Sequence, residues 1–154
     1  MAHYLSASKP GVVQRHLLYI DALKSTGVQP VMGRFKEVNP VKCRTCGSKV
    51  RRREEKESDV ALGVKLLERC VRKEADIIVL VTGDTDLVPA VRTALELFPA
   101  IQVHCIFPYR RKNNELARVA SGSFNVSKEN YLNHQFDNPL TLPSGRKLLR
   151  PGKW

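Results

Sequence analysis

The fold is decided by residues 76–89, which have the sequence DIIVLVTGDTDLVP. The aliphatic and β-branched run 77–82 predicts a strand, and a strand that is apolar on both faces is typical of the centre of a parallel sheet. Residues 83–86 form the turn after this strand. Residues 87–98 then predict a helix, in whose first turn Pro89 is tolerated because its missing N–H has no helical partner there.

Alternating strand and helix patterns continue on both sides of this segment. Apolar spacing predicts a helix over 12–25 that ends at Gly27. A second helix is predicted after Ser58, which would be its N-cap, and Asp59 would be its first residue. Shorter helices are predicted over 115–120 and 128–133, and strands over 28–35, 101–107 and 123–126. This order predicts an α/β fold with a mostly parallel central sheet flanked by helices. Ligands in such sheets bind beyond the carboxyl ends of the strands, which here are residues 83–86 and the loop after Phe107.

The 154 residues suit one domain. We predict that this domain spans residues 1–136, with a polar CxxC insertion at about 36–56. Residues 137–154 are rich in proline, glycine and basic side chains and predict a tail without a packed core of its own.

The formal net charge of +11 favours a polyanionic partner, because a basic side chain placed on a phosphate releases condensed counterions. A general solubility charge explains the same composition. No apolar run approaches the roughly 20 residues that span a bilayer. The first residues lack the pattern of a secretory signal, so the sequence predicts a cytoplasmic protein without a membrane partner.

Two aspartates, Asp84 and Asp86, follow the central strand pattern with one residue between them. Close carboxylates repel each other unless a cation neutralises them, and Mg²⁺ or Mn²⁺ prefers carboxylate and water oxygens. The alternative is that Asp86 or Thr85 caps the following helix. Asp59 opens an earlier helix, where a carboxylate also stabilises the helix N-terminus on its own.

The four cysteines divide into two kinds. Cys70 and Cys105 lie among apolar neighbours and predict small core residues. Cys43 and Cys46 form a CxxC pair followed by glycine, but a structural zinc site needs four ligands. Zn²⁺ held by two such pairs from two chains is one interpretation of the pair, and a reduced pair without metal is the other.

Two basic segments stand out near the acidic ones, and an acidic site that receives a polyanion needs cations to hold phosphate groups beside its carboxylates. A solvated charge run is the alternative for each segment. Tyr109 is the aromatic residue best placed for base stacking, which predicts weakly sequence-specific binding. The candidate nucleic-acid-binding residues are Arg51, Arg52, Arg53, Arg110, Arg111 and Lys112.

Two motifs resemble the NYN domain family. Residues 54–60, EEKESDV, match a family pattern EEKxxDV at a helix start, and residues 79–89, VLVTGDTDLVP, match a strand that ends in S/T-G/A-D-x-D and a later proline. Residues 33–35, the CxxC pair and residues 107–120 resemble a bacterial branch of the family. The resemblance covers roughly residues 14–132, and two motifs in the right order are more specific than either alone.

The resemblance implies a PIN-like three-layer α/β sandwich and a metal-dependent ribonuclease that hydrolyses RNA internally at an acidic Mg²⁺ or Mn²⁺ site. The residues that match the acidic positions of the family, and that are the implied catalytic and metal-binding residues, are Asp59, Asp84 and Asp86.

One part of the family pattern is not matched. NYN domains usually begin with a strand that ends in an aspartate within a D-G-x-N-like turn, whereas residues 1–5 here resemble the second strand of the family. Asp21, the one aspartate before Asp59, belongs to the helix pattern 12–25 and is expected on its surface. The implied alternatives are a truncated form, a ligand or strand supplied by another residue or chain, such as a second copy, and loss of catalysis.

A catalytically inactive NYN-like module that binds RNA or a protein is therefore the alternative to the ribonuclease. A phosphatase or nucleotide-binding domain of flavodoxin-like type is a third hypothesis. It is disfavoured because the sequence has no glycine-rich phosphate loop.

Overall fold

The computed structural model describes residues 11–42 and 45–152, with residues 38, 39, 41 and 50–53 described by their backbone only. The chain forms two compact units, Met1–Lys56 with Phe136–Trp154, and Glu57–Gln135. In chain order, the elements are α1 Val12–Ser25, β1 Arg34–Lys42, β2 Lys49–Lys56, α2 Ser58–Arg72, β3 Ile77–Val81, α3 Val88–Leu97, β4 Gln102–Phe107, α4 Asn114–Val119, β5 Gly122–Asn125, α5 Lys128–Asn133, β6 Leu140–Thr141 and β7 Lys147–Leu148.

In the first unit, α1 has the predicted bounds and ends at Gly27 as predicted. Gly27 has φ 84°, its N–H donates to the Lys24 carbonyl at 3.1 Å, and the Val28 N–H donates to the Leu23 carbonyl at 3.3 Å. This pair of bonds is the Schellman motif, which satisfies the last carbonyls of a helix. Asp21, expected on the surface of α1, pairs with Arg146 and so ties the C-terminal segment to the helix.

The predicted strand over 28–35 is wrong, because only Arg34 and Phe35 of that range lie in a strand. The polar stretch that follows instead forms an antiparallel hairpin of β1 and β2. The register places Lys36 opposite Glu54 and Glu37 opposite Arg53. The stretch predicted as a polar insertion therefore contains regular structure.

The second unit confirms the predicted α/β fold. Its sheet contains β3, β4 and β5 in that order, all parallel, and helices flank it, as in a PIN-like α/β fold. The core lies between the sheet and helices α2, α3 and α4. Its buried residues are Leu66, Cys70, Leu80, Leu87, Val88, Val91, Ala94, Ile101, Val103, Cys105, Phe107 and Leu116.

The prediction that β3 is a central strand buried on both faces is wrong. Among the described strands β3 lies at the edge of its sheet, and Ile77, Val79 and Val81 are 49–62% exposed. The central strand is β4, on which Val103 and Phe107 are fully buried. An aliphatic run predicts a strand, but its neighbours in space decide how much of it is buried.

Helix α2 also differs from its prediction. Ser58 is the first helical residue instead of the N-cap, and it follows Glu57, whose backbone is left-handed with φ 78°. The core-facing residues include Gly63, whereas the neighbouring Leu62 is 39% exposed. A Cβ built on Gly63 lies 3.2 Å from the Ala90 Cβ, so the glycine allows α2 and α3 to pack closely.

Cys70 and Cys105 are fully buried, which confirms the prediction that they are core residues. Burial raises the pKa of both thiols, because a thiolate loses its hydration there. Both thiols therefore stay protonated and unreactive near neutral pH.

In the described part of the chain, none of the helices has the length and apolar character needed to span a membrane.

The different burial of two leucines predicts that their replacement by alanine has very different effects on the free energy of unfolding. Leu116→Ala removes a fully buried side chain and is expected to lower the free energy of unfolding by about 2–5 kcal/mol. Leu97→Ala is the control, because this side chain is 65% exposed and its loss is expected to change stability by less than about 0.5 kcal/mol. Urea titration followed by circular dichroism measures both. Equal effects would contradict the position of α4 against the core.

Candidate metal centre

The carboxyl end of β3 lies next to the start of α2, and three aspartates meet there. Asp84 and Asp86 follow β3, and Asp59 lies in the first turn of α2. One carboxylate oxygen from each lies within 4.8 Å of the others, and all three residues are exposed. The structure thus brings together the three aspartates that the sequence selected.

The backbone of the β3–α3 loop fixes Asp84. The Asp84 N–H donates to the Thr82 hydroxyl at 3.1 Å, and Asp84 Oδ1 accepts from the Asp86 N–H at 3.0 Å. Asp84 therefore caps the single 3-10 turn Thr85–Leu87, and the sequence alternative in which Asp86 or Thr85 is the cap is wrong. Capping and metal binding are compatible, because a carboxylate has two oxygens with several lone pairs.

A second loop, residues 108–113 after β4, packs directly on the first. A Cβ built on Gly83 would lie 2.5 Å from the Arg111 carbonyl oxygen, so only glycine permits this approach. The Asn113 amide donates to the Gly83 carbonyl at 3.0 Å. The Asn113 Oδ1 also accepts from the N–H groups of Glu115 and Leu116, at 2.9 and 3.1 Å, and so caps α4.

The contact between the two loops brings Arg111 next to the turn that holds Asp84. Arg111 and Asp84 line the same surface depression of about 510 Å³, together with Thr82, Gly83 and Pro108. A guanidinium in this position attracts a phosphate group that the aspartates alone would repel.

The remaining predicted nucleic-acid-binding residues are Arg110, Lys112 and the three arginines of β2. Arg110 and Lys112 line a neighbouring depression on the other side of loop 108–113. Arg51, Arg52 and Arg53 belong to β2, but their side chains lie outside the described part of the structure.

The CxxC pair is described only in part. Cys46 is exposed and its sulfur lies 3.0 Å from the Ser48 hydroxyl, whereas Cys43 lies outside the described residues. Residues 1–5, which resemble the second strand of the family, also lie outside them.

Two contributors to the site were not predicted from the sequence: Asn113, which joins the two loops, and the Thr82 hydroxyl. An N-cap signal was present at Asn113, because asparagine followed two residues later by glutamate is typical of a helix start. The bond from Asn113 to Gly83 spans 30 positions and has no local sequence signal.

The donor set fits a hard divalent cation. Three carboxylates converge from two elements, and their exposure leaves room for the water ligands that Mg²⁺ and Mn²⁺ retain.

The fold and the site define a class: an α/β protein with three convergent aspartates at the carboxyl edge of a parallel sheet. The sequence model of the NYN domain family matches residues 4–127, and the chain belongs to this family. Membership indicates a nuclease-type function of the PIN-like kind, and the family is generally metal-dependent.

Among solved structures, the chain is similar to the crystal structure of a protein of unknown function from Vibrio parahaemolyticus RIMD 2210633. It has 18% sequence identity and a TM-score of 0.49, and the match covers 79% of this chain and 65% of that chain. This chain thus spans less than two thirds of that protein's length. Among curated proteins, none matches the chain.

The convergent aspartates predict that Mn²⁺ stabilises the folded chain. Binding to the folded state raises the free energy of unfolding by about 2.7 kcal/mol at a cation concentration 100 times the Kd. We expect the melting temperature to rise with Mn²⁺, and the rise to be largely lost in Asp86→Asn. Asp76→Asn is the matched control, because Asp76 precedes β3 and so lies at the opposite end of that strand. An equal rise in all three proteins would contradict the site.

The contact between Gly83 and Arg111 predicts that an alanine at position 83 lowers both stability and Mn²⁺ affinity. Gly83→Ala is expected to push the Arg111 backbone away and to lower stability by about 1–3 kcal/mol, the usual cost of overpacking. It should also weaken Mn²⁺ binding, because Asp84 is the next residue. Gly152→Ala is the control, since nothing lies within 4 Å of a Cβ built there. Thermal melts and Mn²⁺ titration by calorimetry measure both, and unchanged Mn²⁺ affinity in Gly83→Ala would show that the loop contact does not position Asp84.

Proposed function

We propose that the chain is a metal-dependent endoribonuclease that hydrolyses phosphodiester bonds of RNA at Asp59, Asp84 and Asp86. The observation that carries this proposal is the convergence of the three carboxylates within 4.8 Å. Arg111 supports it, because this basic residue and Asp84 line the same depression. RNA as the substrate rests on the family and on the net charge of +11.

The carboxylates of the three aspartates would hold Mg²⁺ or Mn²⁺. When bound, such a cation polarises phosphoryl oxygens and lowers the pKa of bound water. The remaining work falls to the chain itself. Arg111 attracts the phosphate and offsets its repulsion by the aspartates. The bond from the Asp84 N–H to Thr82 and the bond from Asn113 to Gly83 keep the Asp84 loop in one position relative to Arg111.

Hydrolysis adds one water molecule across a phosphorus–oxygen bond. The oxygen of the water joins phosphorus, the bond to the leaving ribose oxygen breaks, and that oxygen takes up a proton. The site offers carboxylates that would hold the cation and Arg111 as a positive charge for the phosphate. This arrangement suits a reaction in which negative charge spreads over the phosphoryl oxygens.

The second candidate function is a binding module without catalysis. It is supported by Arg110 and Lys112, which line a depression of their own that contains no carboxylate among its lining residues. A partner strand or second copy remains part of the proposal, because β3 lies at the edge of its sheet among the described strands and the edge of a sheet can pair with another chain.

The remaining predictions on organisation also stand as proposals. A single domain over residues 1–136, the insertion at 36–56 and the tail at 137–154 fit the family match over residues 4–127. A cytoplasmic location fits the free thiols of Cys70 and Cys105.

RNA cleavage tests the proposed activity. We expect the chain to cut a fluorescent RNA in Mn²⁺, and EDTA or Asp84→Asn to lower the rate at least 100-fold, the usual scale for losing an electrostatic catalytic group. Asparagine retains the cap of the 3-10 turn, so the variant is expected to stay folded. Asp76→Asn should cleave like the unaltered chain.

Two outcomes would decide against the ribonuclease. Cleavage that survives EDTA and Asp84→Asn would point to a contaminating enzyme. No cleavage by a folded chain that still binds RNA would make the binding module the better description.

A further inference from the structure

Loop 108–113 separates two depressions at the same edge of the sheet. On one side lie Asp84 and Arg111. On the other side lies a depression of about 460 Å³, which we call the Tyr109 pocket, lined by Tyr109, Arg110, Lys112, Asn125, Val126 and Ser127. Its volume falls in the range of small-molecule sites. A chain-like ligand bound at the aspartates and crossing this loop would enter the Tyr109 pocket next.

Two flat side chains meet in this pocket. Tyr109 is 40% exposed, and the Arg110 guanidinium carbon lies 5.0 Å from the centroid of its ring. Aromatic rings and guanidinium planes are the surfaces on which proteins stack unpaired bases. An exposed ring in contact with a cation, rather than in the core, is therefore suited to a base.

The backbone holds Arg110 in an unusual conformation. The Arg111 N–H donates to the Pro108 carbonyl at 2.8 Å and closes a tight turn, in which Arg110 has φ 59°. Glycine or asparagine is typical of this position, because the left-handed region is sterically costly for longer side chains. The turn thus presents a long cationic side chain beside Tyr109 where a smaller residue would fit the backbone better.

The rest of the pocket offers polar groups suited to a nucleotide. Asn125 is exposed at the end of β5, and its amide has both donors and an acceptor for the edge of a base. The Ser127 hydroxyl accepts from the Asn130 N–H at 3.2 Å and so holds the wall of the pocket to α5. Lys112 supplies a second cation for the phosphates on either side of the base.

We propose that the Tyr109 pocket binds an unpaired nucleobase of the RNA strand whose neighbouring phosphate lies at the three aspartates. This inference rests on the proposed function for the position of the cleaved phosphate. The proposed substrate class is therefore single-stranded RNA, or the unpaired bases of a loop or bulge. Bases inside a duplex are stacked and paired, and they cannot reach a side-chain platform.

The test measures binding apart from cleavage. The full chain carrying Asp84→Asn is titrated with a short fluorescein-labelled single-stranded RNA and with the same RNA annealed to its complement. We expect tighter binding of the single strand. Adding Tyr109→Ala should weaken that binding roughly 5- to 150-fold, the range that corresponds to one stacked base. Adding Tyr109→Phe should preserve it, because the ring remains.

Two further measurements make the test specific. A 2-aminopurine in the RNA should lose fluorescence on binding, and the loss should disappear in Tyr109→Ala. Tyr131→Ala is the matched control, since Tyr131 is a similarly exposed tyrosine on α5, at 46%, that does not line the pocket. Thermal melts establish that each variant is folded.

Equal affinity of Tyr109→Ala and its parent, equal affinity for single-stranded and duplex RNA, or no RNA binding at all would overturn the proposal. Cleavage by the chain with intact aspartates is measured beside binding. If the chain cleaves RNA and Tyr109→Ala changes neither binding nor cleavage, the base pocket is wrong and the proposed nuclease activity stands. If RNA binding depends on Tyr109 but the chain does not cleave RNA, the nuclease proposal is wrong and the base pocket stands.

Discussion

The close approach of two strand-end loops is the constraint on which the site depends. Gly83 lies so near Arg111 that a Cβ would come within 2.5 Å of the Arg111 carbonyl oxygen. Asn113 closes the same contact with a bond to the Gly83 carbonyl and caps α4 with its other amide atom. One side chain therefore joins the aspartate turn, the basic loop and the start of α4.

The core gives these loops fixed starting points. Leu80 on β3 and Phe107 on β4 are buried close to the points where the two strands end, and Leu116 anchors the first turns of α4. Gly63 allows α2 to pack on Ala90 of α3, which fixes the helix that presents Asp59. The carboxylates are therefore positioned by packed apolar side chains, although none of the three is buried.

Local patterns in the sequence were sufficient to predict α1 and the place of Asp84 and Asp86, whereas Asp59 was selected by the resemblance to the NYN family. The apolar spacing of 12–25 and the glycine after it are local signals, and the rule for parallel sheets predicts a site beyond β3. The edge position of β3 depends on which segments pair with it, and no local pattern contains that information. The hairpin was missed because its sequence is largely polar and lacks a regular apolar alternation. The prediction of Ser58 as N-cap is wrong because Glu57, with a left-handed backbone, takes that position.

The exposure of the aspartates also bears on how a loss of activity is interpreted. Water and salt screen the repulsion between exposed carboxylates, so the cluster adds little strain to the folded chain before a cation binds. Replacing one of them by asparagine therefore removes little stability, in contrast to a change at Leu116 in the core. A variant such as Asp84→Asn keeps its cap and its fold, and a defect that it shows arises from the chemistry of the carboxylate. The separation of a buried scaffold from an exposed acidic cluster is what makes the proposed site open to direct test.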